Sequence, residues 1–293
     1  MKLLIGLVIL TFFLVSGCQN QGNKMSPTIG NAVVEVDPAI YPVLIKEKKL
    51  FDSLYTKAKI ELKETAPLQG AVNLINNKSK MYISPRYFDS KELDFMHSQK
   101  MDVQIFKFCY EAIAVVSSPK NNINKIRVDE IKDALLGNSR QYSFVIPQNT
   151  TSTYEYIKNE MLNGKDPEYA EIVPNDSSVL KTIESDNAKL GILSFNIVQD
   201  SSEIKFIQVG EIQNKSDSTN STGLSVEYFT PHPGFVLKKY YPLTQTVYIF
   251  LHEIDFSPAS GFTTFLTSYE GQRIALNQNL APAAVPVKIN QLQ

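Results

Sequence analysis

The chain has 293 residues, of which 43% are hydrophobic and 20% charged, with a formal net charge of −1 at pH 7. This length is sufficient for one large domain or for two lobes that each bury a sizeable core. Lysines and acidic residues are interspersed without a basic block, which argues against a nucleic-acid partner.

The amino-terminal residues have the pattern of an export signal. Lys2 precedes an apolar stretch over residues 3–15, shorter than the ~20 residues that a spanning helix needs. A small-residue pair stands directly before Cys18, the pattern at which a bacterial lipoprotein is cleaved and lipidated on sulfur. We therefore predict a signal peptide over residues 1–17 and a lipidated tether over 18–27, holding the protein on the periplasmic side of the inner or outer membrane. An ordinary secretory signal with an incidental cysteine is the alternative.

The remaining cysteine and the histidines carry no recognisable chemistry. Cys109 lies in a mostly apolar run, which predicts a buried, inert thiol and excludes a disulfide once Cys18 is lipidated. His97, His232 and His252 are isolated, so we predict no metal site. No nucleophile elbow, P-loop or dinucleotide glycine pattern occurs, and we expect neither a cofactor nor an enzyme.

Strand and helix patterns alternate along the chain, as in an α/β protein with βαβ crossovers. The assignments rest on apolar spacing and on Pro, Gly and capping residues. Up to residue 100 the predicted elements are strand 32–36, helix 42–54, strand 59–63, helix 67–76, strand 80–83 and a helix that Ser90 caps.

The middle of the chain begins with a continuous apolar run over residues 112–116, which is typical of a strand buried on both faces. Further on, residues 215–223 are rich in Ser, Thr, Asn and Asp, which predicts a surface loop. The other predicted elements are helix 127–136, strand 142–146, helix 154–162, helix 177–186, strand 190–193, strand 246–251 and helical structure over 257–279.

Several segments, taken in order, resemble the phosphate-binding family of periplasmic proteins, the solute receptors of ABC transporters. The stretch YPLTQTVYI at 241–249 is similar to that family's YPLxRxxYI, and FTTFLTSYEGQ at 262–272 resembles its FLxFxxSxEGQ. Weaker matches lie at 111–123, 128–137 and 281–287. Residues 34–38 and 81–88 match the positions of two ligand-proximal loops.

The resemblance implies a type 2 periplasmic-binding fold, with two α/β lobes, a two-strand hinge and a solute in the cleft between them. One lobe would comprise residues 28–115 and 241–293, and the other residues 116–240. The implied partners are a small oxyanion, phosphate first, and an inner-membrane ABC permease. We expect a monomer.

Members of that family hold an oxyanion with hydroxyls, backbone amides and helix amino termini, where unpaired N–H groups and a positive dipole end meet. The family's ligand loop corresponds here to Thr150, Thr151, Ser152 and Thr153, which follow a strand and open a helix. Plain N-capping of that helix is the alternative reading.

Three departures from the family pattern leave the ligand open. Thr150 and Ser152 replace the glycines of the loop, Pro147 stands in place of an Arg, and the family's Asp is missing around Ser84. Arg86 can supply a cation to the ligand or form a surface salt bridge.

The first ligand-proximal loop offers Asp37 and Ala39, although Asp37 can equally cap the following helix. A degenerate relative that acts as an envelope sensor, adhesin or scaffold is the alternative to a transport receptor.

Overall fold

The computed structural model describes residues 25–198, 203–216, 222–252 and 256–284, with the backbone alone for 213–216 and 222–224. The predicted signal peptide, Cys18 and most of the predicted tether lie outside these residues. The strands are β1 (Gly30–Val36), β2 (Ala58–Glu64), β3 (Met81–Ser84), β4 (Gln104–Ser117), β5 (Lys125–Arg127), β6 (Phe144–Pro147), β7 (Ala170–Val173), β8 (Leu190–Ser194), β9 (Lys205–Phe206), β10 (Gln208–Ser216), β11 (Thr222–Phe229), β12 (Thr244–Leu251) and β13 (Ala281–Pro282). The helices are α1 (Tyr41–Leu54), α2 (Pro67–Ile75), α3 (Ser90–Ser98), α4 (Val128–Leu135), α5 (Ser152–Tyr156, continued by a π-helical turn over Ile157–Met161), α6 (Asp176–Ser185), α7 (Phe195–Val198), α8 (Pro233–Leu237), α9 (Pro258–Leu266) and α10 (Tyr269–Asn277).

The described strands form one large mixed sheet and one small sheet, so the predicted α/β class is confirmed. The large sheet has the order β2-β1-β3-β12-β4-β8-β6-β7, and β9 and β13 also pair with β4. β1 is parallel to β2 and β3, whereas β12 is antiparallel to both of its neighbours, β3 and β4. β5, β10 and β11 make the small sheet.

β4 connects two hydrophobic cores. Its first part pairs with β12 as far as Ala112, and its last part pairs with β8 from Ile113 to Ser117. One core lies around β1, β3, β12, α1 and α9, and includes Phe51, Phe262 and Ile249. The other core lies around β6, β8, α4 and α6. β4 therefore contributes residues to both cores.

The buried run at 112–116 is confirmed, because Ile113 to Val116 are fully buried within β4. Cys109 is also fully buried, as predicted, and burial raises the pKa of its thiol well above the usual value. None of the helices in the part of the chain that the structure describes combines the length and apolarity that crossing a bilayer requires.

The predicted surface loop at 215–223 is wrong at both of its ends. Lys215 and Ser216 belong to β10, and Thr222 and Gly223 to β11, which pair as an antiparallel hairpin. The two strands are joined by backbone hydrogen bonds, which do not require apolar side chains. The polar composition of the segment therefore gave no indication of these strands. Residues 217–221 lie outside the described residues.

Two predictions at helix starts also need correction. Asp89, not Ser90, caps α3. The Asp89 carboxylate accepts from the Glu92 amide at 2.8 Å, and the Glu92 carboxylate accepts from the Asp89 amide at 2.8 Å. This reciprocal capping box satisfies two amide groups, which a Ser at position 90 could not do from inside the helix. The helix predicted over 154–162 begins earlier, at Ser152, and changes to π geometry at Ile157.

Candidate functional site

A cavity of about 720 Å³ lies between the segment that follows β3 and the segment that follows β6. One wall is formed by the segment after β3 together with the start of β12, and the other by the loop after β6 and the helix that follows it. The described lining residues are Pro85, Arg86, Tyr87, Phe88, Asp89, Asn149, Ser152, Tyr154, Glu155, Tyr156, Lys158, Asn159, Glu160, Asp166, Thr244, Gln245, Thr246 and Tyr248. Ser152 and Arg86, both predicted as ligand residues, therefore border it from opposite sides.

Three hydrogen-bond donors, one of which is the Ser152 hydroxyl, converge on the Asp37 carboxylate. The Ala39 amide donates to Oδ1 at 3.0 Å, the Ser84 hydroxyl to Oδ2 at 2.8 Å and the Ser152 hydroxyl to Oδ1 at 3.1 Å. The first two donors follow β1 and end β3, whereas Ser152 opens α5. An amide and two hydroxyls around one buried negative group form the kind of donor set that holds an oxyanion.

Burial controls the ionisation of Asp37. The pKa of this carboxyl is raised to about 7, chiefly by burial and also by the charge of Asp176, even though the three hydrogen bonds act in the opposite direction. Asp37 does not cap α1, contrary to one of the two alternatives, because its carboxylate accepts from Ala39, Ser84 and Ser152 and not from the amides of the first turn of the helix. Ile40 occupies the N-cap position.

The next residue of α5 bonds to a second buried acid. Thr153 donates its hydroxyl to Asp176 Oδ1 at 2.8 Å, and the Ser194 amide donates to the same oxygen at 2.8 Å. Burial raises the pKa of Asp176, while these two bonds lower it. The Thr153 hydroxyl is therefore held by the protein's own carboxylate.

A third acid, Glu111, lies on β4. It accepts from Gln245 Nε2 at 2.9 Å, from Asn196 Nδ2 at 3.0 Å and from the Ser194 hydroxyl. Burial raises the pKa of Glu111 to about 7, and the charges of Asp37 and Asp176 raise it too. Three mutually repelling carboxyls thus line the junction of the two cores.

Arg86 is neither exposed nor free. Its Nε donates to Glu155 at 3.1 Å, and its two terminal nitrogens donate to the two oxygens of Glu92 at 2.9 and 3.0 Å. Of the two alternatives for Arg86, the salt bridge is therefore the one that the structure shows, although the side chain is only 8% exposed and the ion pairs are largely buried. Since Glu155 belongs to α5, this ion pair joins the two walls of the cavity.

The four hydroxyls of the predicted ligand loop separate into three groups. Thr150 is exposed. Thr151 caps α5, accepting from the Tyr154 amide at 3.2 Å and donating to the Gln148 carbonyl at 2.9 Å. Ser152 and Thr153 are buried and donate to carboxylates. N-capping therefore occurs at Thr151, whereas Ser152 and Thr153 donate to buried carboxylates.

The structure brings together Asp37, Ala39, Ser84 and Ser152, and it adds residues that the sequence did not single out as site residues. Glu111 stands directly before the buried apolar run, and an acid in that position was an available signal. Asp176 had no such signal, because an acid at a helix start is common. Within the described residues, no group of three His, Cys, Asp or Glu side chains is arranged to hold a metal ion.

Comparison with known proteins defines the family. A family model described as the PBP superfamily domain matches residues 22–270, and the chain belongs to this family. No curated protein matches the chain significantly.

Solved structures share the two-lobed type 2 periplasmic-binding fold. A Clostridium perfringens protein described as a phosphate ABC transporter substrate-binding protein, with bound phosphate, superposes with a TM-score of 0.71 at 16% identity, covering 87% of this chain and 100% of that one. An ABC-type phosphate transport receptor from Vibrio cholerae gives 0.62 at 13% identity, over 86% and 99%. A Clostridium difficile domain described as the substrate-binding domain of a molybdenum ABC transporter gives 0.54 at 15% identity, over 87% and 99%. At these identities the similarity concerns the fold.

Proposed function

We propose that this protein is the lipid-anchored receptor of an ABC-type import system, and that it captures phosphate between its lobes for delivery to an inner-membrane permease. The observation that carries the proposal is the donor set of the Ala39 amide and the Ser84 and Ser152 hydroxyls, which two separate walls contribute to one buried position. The phosphate and molybdenum transport proteins of the same fold support the choice of an oxyanion.

In the described state this position holds the Asp37 carboxylate. Because the pKa of Asp37 is about 7, part of the population is neutral at pH 7, and a neutral side chain releases the donors at little electrostatic cost. An incoming oxyanion then takes the same hydrogen bonds. Because Ser152 lines the cavity, the oxyanion can reach the donors through the cavity.

Calorimetry on the purified mature protein tests the proposal, with phosphate, sulfate and molybdate as titrants. We expect phosphate to bind with one site per chain. Absence of binding by all three anions at millimolar concentration would contradict the proposal.

Two matched substitutions locate the site. Ser152→Ala removes a buried donor, and we expect about tenfold weaker phosphate binding, the usual cost of one hydrogen bond to a charged group. Thr150→Ala removes an exposed hydroxyl two residues away and should leave the affinity within twofold. Equal effects of the two substitutions would contradict an interlobe site.

Membrane attachment through Cys18 is a further part of the proposal and rests on the sequence alone. Cys18→Ser should release the protein from the membrane fraction, and mass spectrometry of the wild-type protein should detect an acylated amino terminus. A wild-type protein that is found free of membranes would contradict the anchor.

One observation favours a second candidate, a non-transport relative that acts as an envelope sensor, adhesin or scaffold. Asp37 and Asp176 already accept from Ser84, Ser152 and Thr153, so an anion would have to compete for these donors. A stoichiometric envelope partner recovered with the tagged protein, in combination with no anion binding, would favour this candidate over transport.

A further inference from the structure

The cavity is much larger than an inorganic anion requires. Its volume of about 720 Å³ is within the range of ~300–1,000 Å³ that is usual for sites of drug-sized organic ligands. Of the three residues of the donor set, Ser152 alone is among the described lining residues, and the lining also includes Tyr87, Tyr154 and Tyr248. A tetrahedral oxyanion bound at Ser152 would leave most of this space unfilled.

Aromatic rings form a wall of the unfilled part. Tyr87 packs edge-on against Tyr248, with ring centroids 4.9 Å apart, and against Phe250 at 5.8 Å. Tyr87 nevertheless remains 44% exposed. A ring that neighbouring rings hold in place, and that still presents surface to a cavity, is suited to stack on an organic group or on a cation.

Acidic side chains outnumber basic ones in the lining of the cavity. Among the described lining residues there are four acidic side chains, Asp89, Glu155, Glu160 and Asp166, and two basic ones, Arg86 and Lys158. Both basic groups are already paired: Arg86 with Glu155 at 3.1 Å, and Lys158 with Asp166 at 2.8 Å.

The carboxylate of Glu160 makes no hydrogen bond or ion pair within the described part of the chain, and its charge raises the pKa of Tyr156. A second anionic group on the ligand would be repelled here, whereas a positive group would be attracted.

We infer that the ligand is an oxyanion ester of an organic amine, rather than the inorganic anion alone. This inference rests on the proposed function. The anionic end accepts hydrogen bonds from the Ala39, Ser84 and Ser152 donors. The ammonium end lies against the rings of Tyr87 and Tyr248, where the carboxylate of Glu160, which is unpaired among the described residues, adds to the negative charge of the lining. Ligands of this class carry both charges at separate ends, which matches a cavity that Ser152 borders and that also carries exposed aromatic surface and an excess of acidic side chains.

Calorimetry with four probes tests the inference: inorganic phosphate, glycerol 3-phosphate, phosphocholine and choline. We expect phosphocholine to bind at least tenfold more tightly than inorganic phosphate, and more tightly than glycerol 3-phosphate, whose organic part is neutral. Phosphate binding without a phosphocholine advantage would overturn the inference and leave the proposed function intact. No binding of any phosphate compound would overturn both.

Two substitutions assign the advantage to the cavity. Tyr87→Ala and Glu160→Gln should each lower the ratio of phosphocholine affinity to phosphate affinity by about fivefold, the usual scale of one cation–π contact or one nearby charge. Tyr269→Ala is the matched control, since Tyr269 is 47% exposed on α10 and is not among the lining residues. A ratio that is unchanged in both cavity variants, or lowered equally in the control, would contradict the assignment.

Discussion

Asp37 is the residue on which the behaviour of the cleft depends. Its carboxylate accepts from every donor that the proposal assigns to the ligand, so the protein's own negative charge occupies the proposed anion position. Under the proposal, ligand and carboxylate compete for the same hydrogen bonds, and the competition weakens when Asp37 is protonated.

Asp37→Asn should make this competition measurable. With a pKa of about 7, Asp37 is mostly neutral at pH 6 and mostly charged at pH 8. The charge of Asp37 therefore lowers the affinity of the wild-type protein for an anion at pH 8 relative to pH 6. The variant lacks this charge, and its affinity is not lowered in this way. We expect the ratio of variant to wild-type phosphate affinity to rise about tenfold between pH 6 and pH 8. Taking the ratio cancels the titration of phosphate itself, and a ratio independent of pH would contradict the competition.

Glu47 is a buried acid without a function in the cleft. It lies on α1, is fully buried, and neither of its carboxylate oxygens has a partner among the described residues. Burial raises its pKa to about 9. A carboxyl whose pKa is raised on folding contributes its full stability below its unfolded value, and loses that contribution as the pH rises toward the folded value.

Glu47→Gln should therefore stabilise the protein increasingly with pH. We expect almost no gain near pH 4.5 and a gain in the free energy of unfolding that grows by up to ~1.4 kcal/mol per pH unit between there and pH 8. Thermal denaturation of both proteins from pH 4.5 to pH 8.5 measures the difference. A difference that is constant across this range would show that the wild-type carboxyl does not titrate as described.

The residues of the site were predictable to different degrees. Ser84, Ala39 and Ser152 follow from the resemblance, because they stand at loop positions that the strand pattern defines. Asp37 was also predicted as a site residue, but the convergence of the three donors on its carboxylate was not, since an acid after a strand is equally a turn former. Contacts among Glu111, Asp176 and Ser194 join segments far apart in sequence, and only the folded chain brings them together.

At the scale of elements, periodic segments were predicted well and polar ones were not. The spacing of apolar residues located α1, and a continuous apolar run located the last part of β4, over residues 112–116, whereas the first part of β4 was not predicted as a strand. The β10–β11 hairpin was missed because pairing of backbone groups, not burial, maintains it. The start of α5 was placed two residues late, since the Thr and Ser residues there were treated as a loop.

α2 illustrates how packing overrides helix propensity. A Cβ added at Gly70 would lie 2.3 Å from the ring of Tyr82, whose hydroxyl donates to the Pro67 carbonyl at 3.0 Å. Ala is favoured over Gly inside helices by ~1 kcal/mol, and the clash is costlier.

We expect Gly70→Ala to destabilise the protein by about 1–2 kcal/mol in chemical denaturation. Leu68→Ala on the same helix is the control: Leu68 is exposed, and its loss should change stability by less than about 0.5 kcal/mol. Stabilisation by Gly70→Ala would mean that Tyr82 does not pack against α2 as described.

At the scale of the whole molecule, two contacts hold the walls of the cleft together. Ser152 bonds to Asp37, and Glu155 pairs with Arg86. Both α5 residues reach groups that follow strands of the other core. These contacts bridge the two walls, and their strength sets how readily the cleft opens.

Glu155→Gln should open the ligand-free protein. Glu155 is partly exposed, so losing its charge costs only about 1 kcal/mol, enough to shift the balance between closed and open forms about fivefold. Small-angle scattering should record a larger radius of gyration without ligand and a return to the wild-type value with saturating phosphate. Asp166→Asn, which breaks the Lys158 ion pair within one wall, should leave the radius unchanged. An unchanged radius in Glu155→Gln would mean that this ion pair does not hold the walls together.

The most direct measurement is a crystal structure of the mature protein grown with phosphate at pH 6, where Asp37 is mostly neutral. The account predicts a phosphate within hydrogen-bond distance of the Ala39 amide and of the Ser84 and Ser152 hydroxyls, with the Asp37 carboxyl no longer accepting from all three. Asp37 still bonded to these donors at saturating phosphate, with the anion elsewhere or not bound, would contradict it.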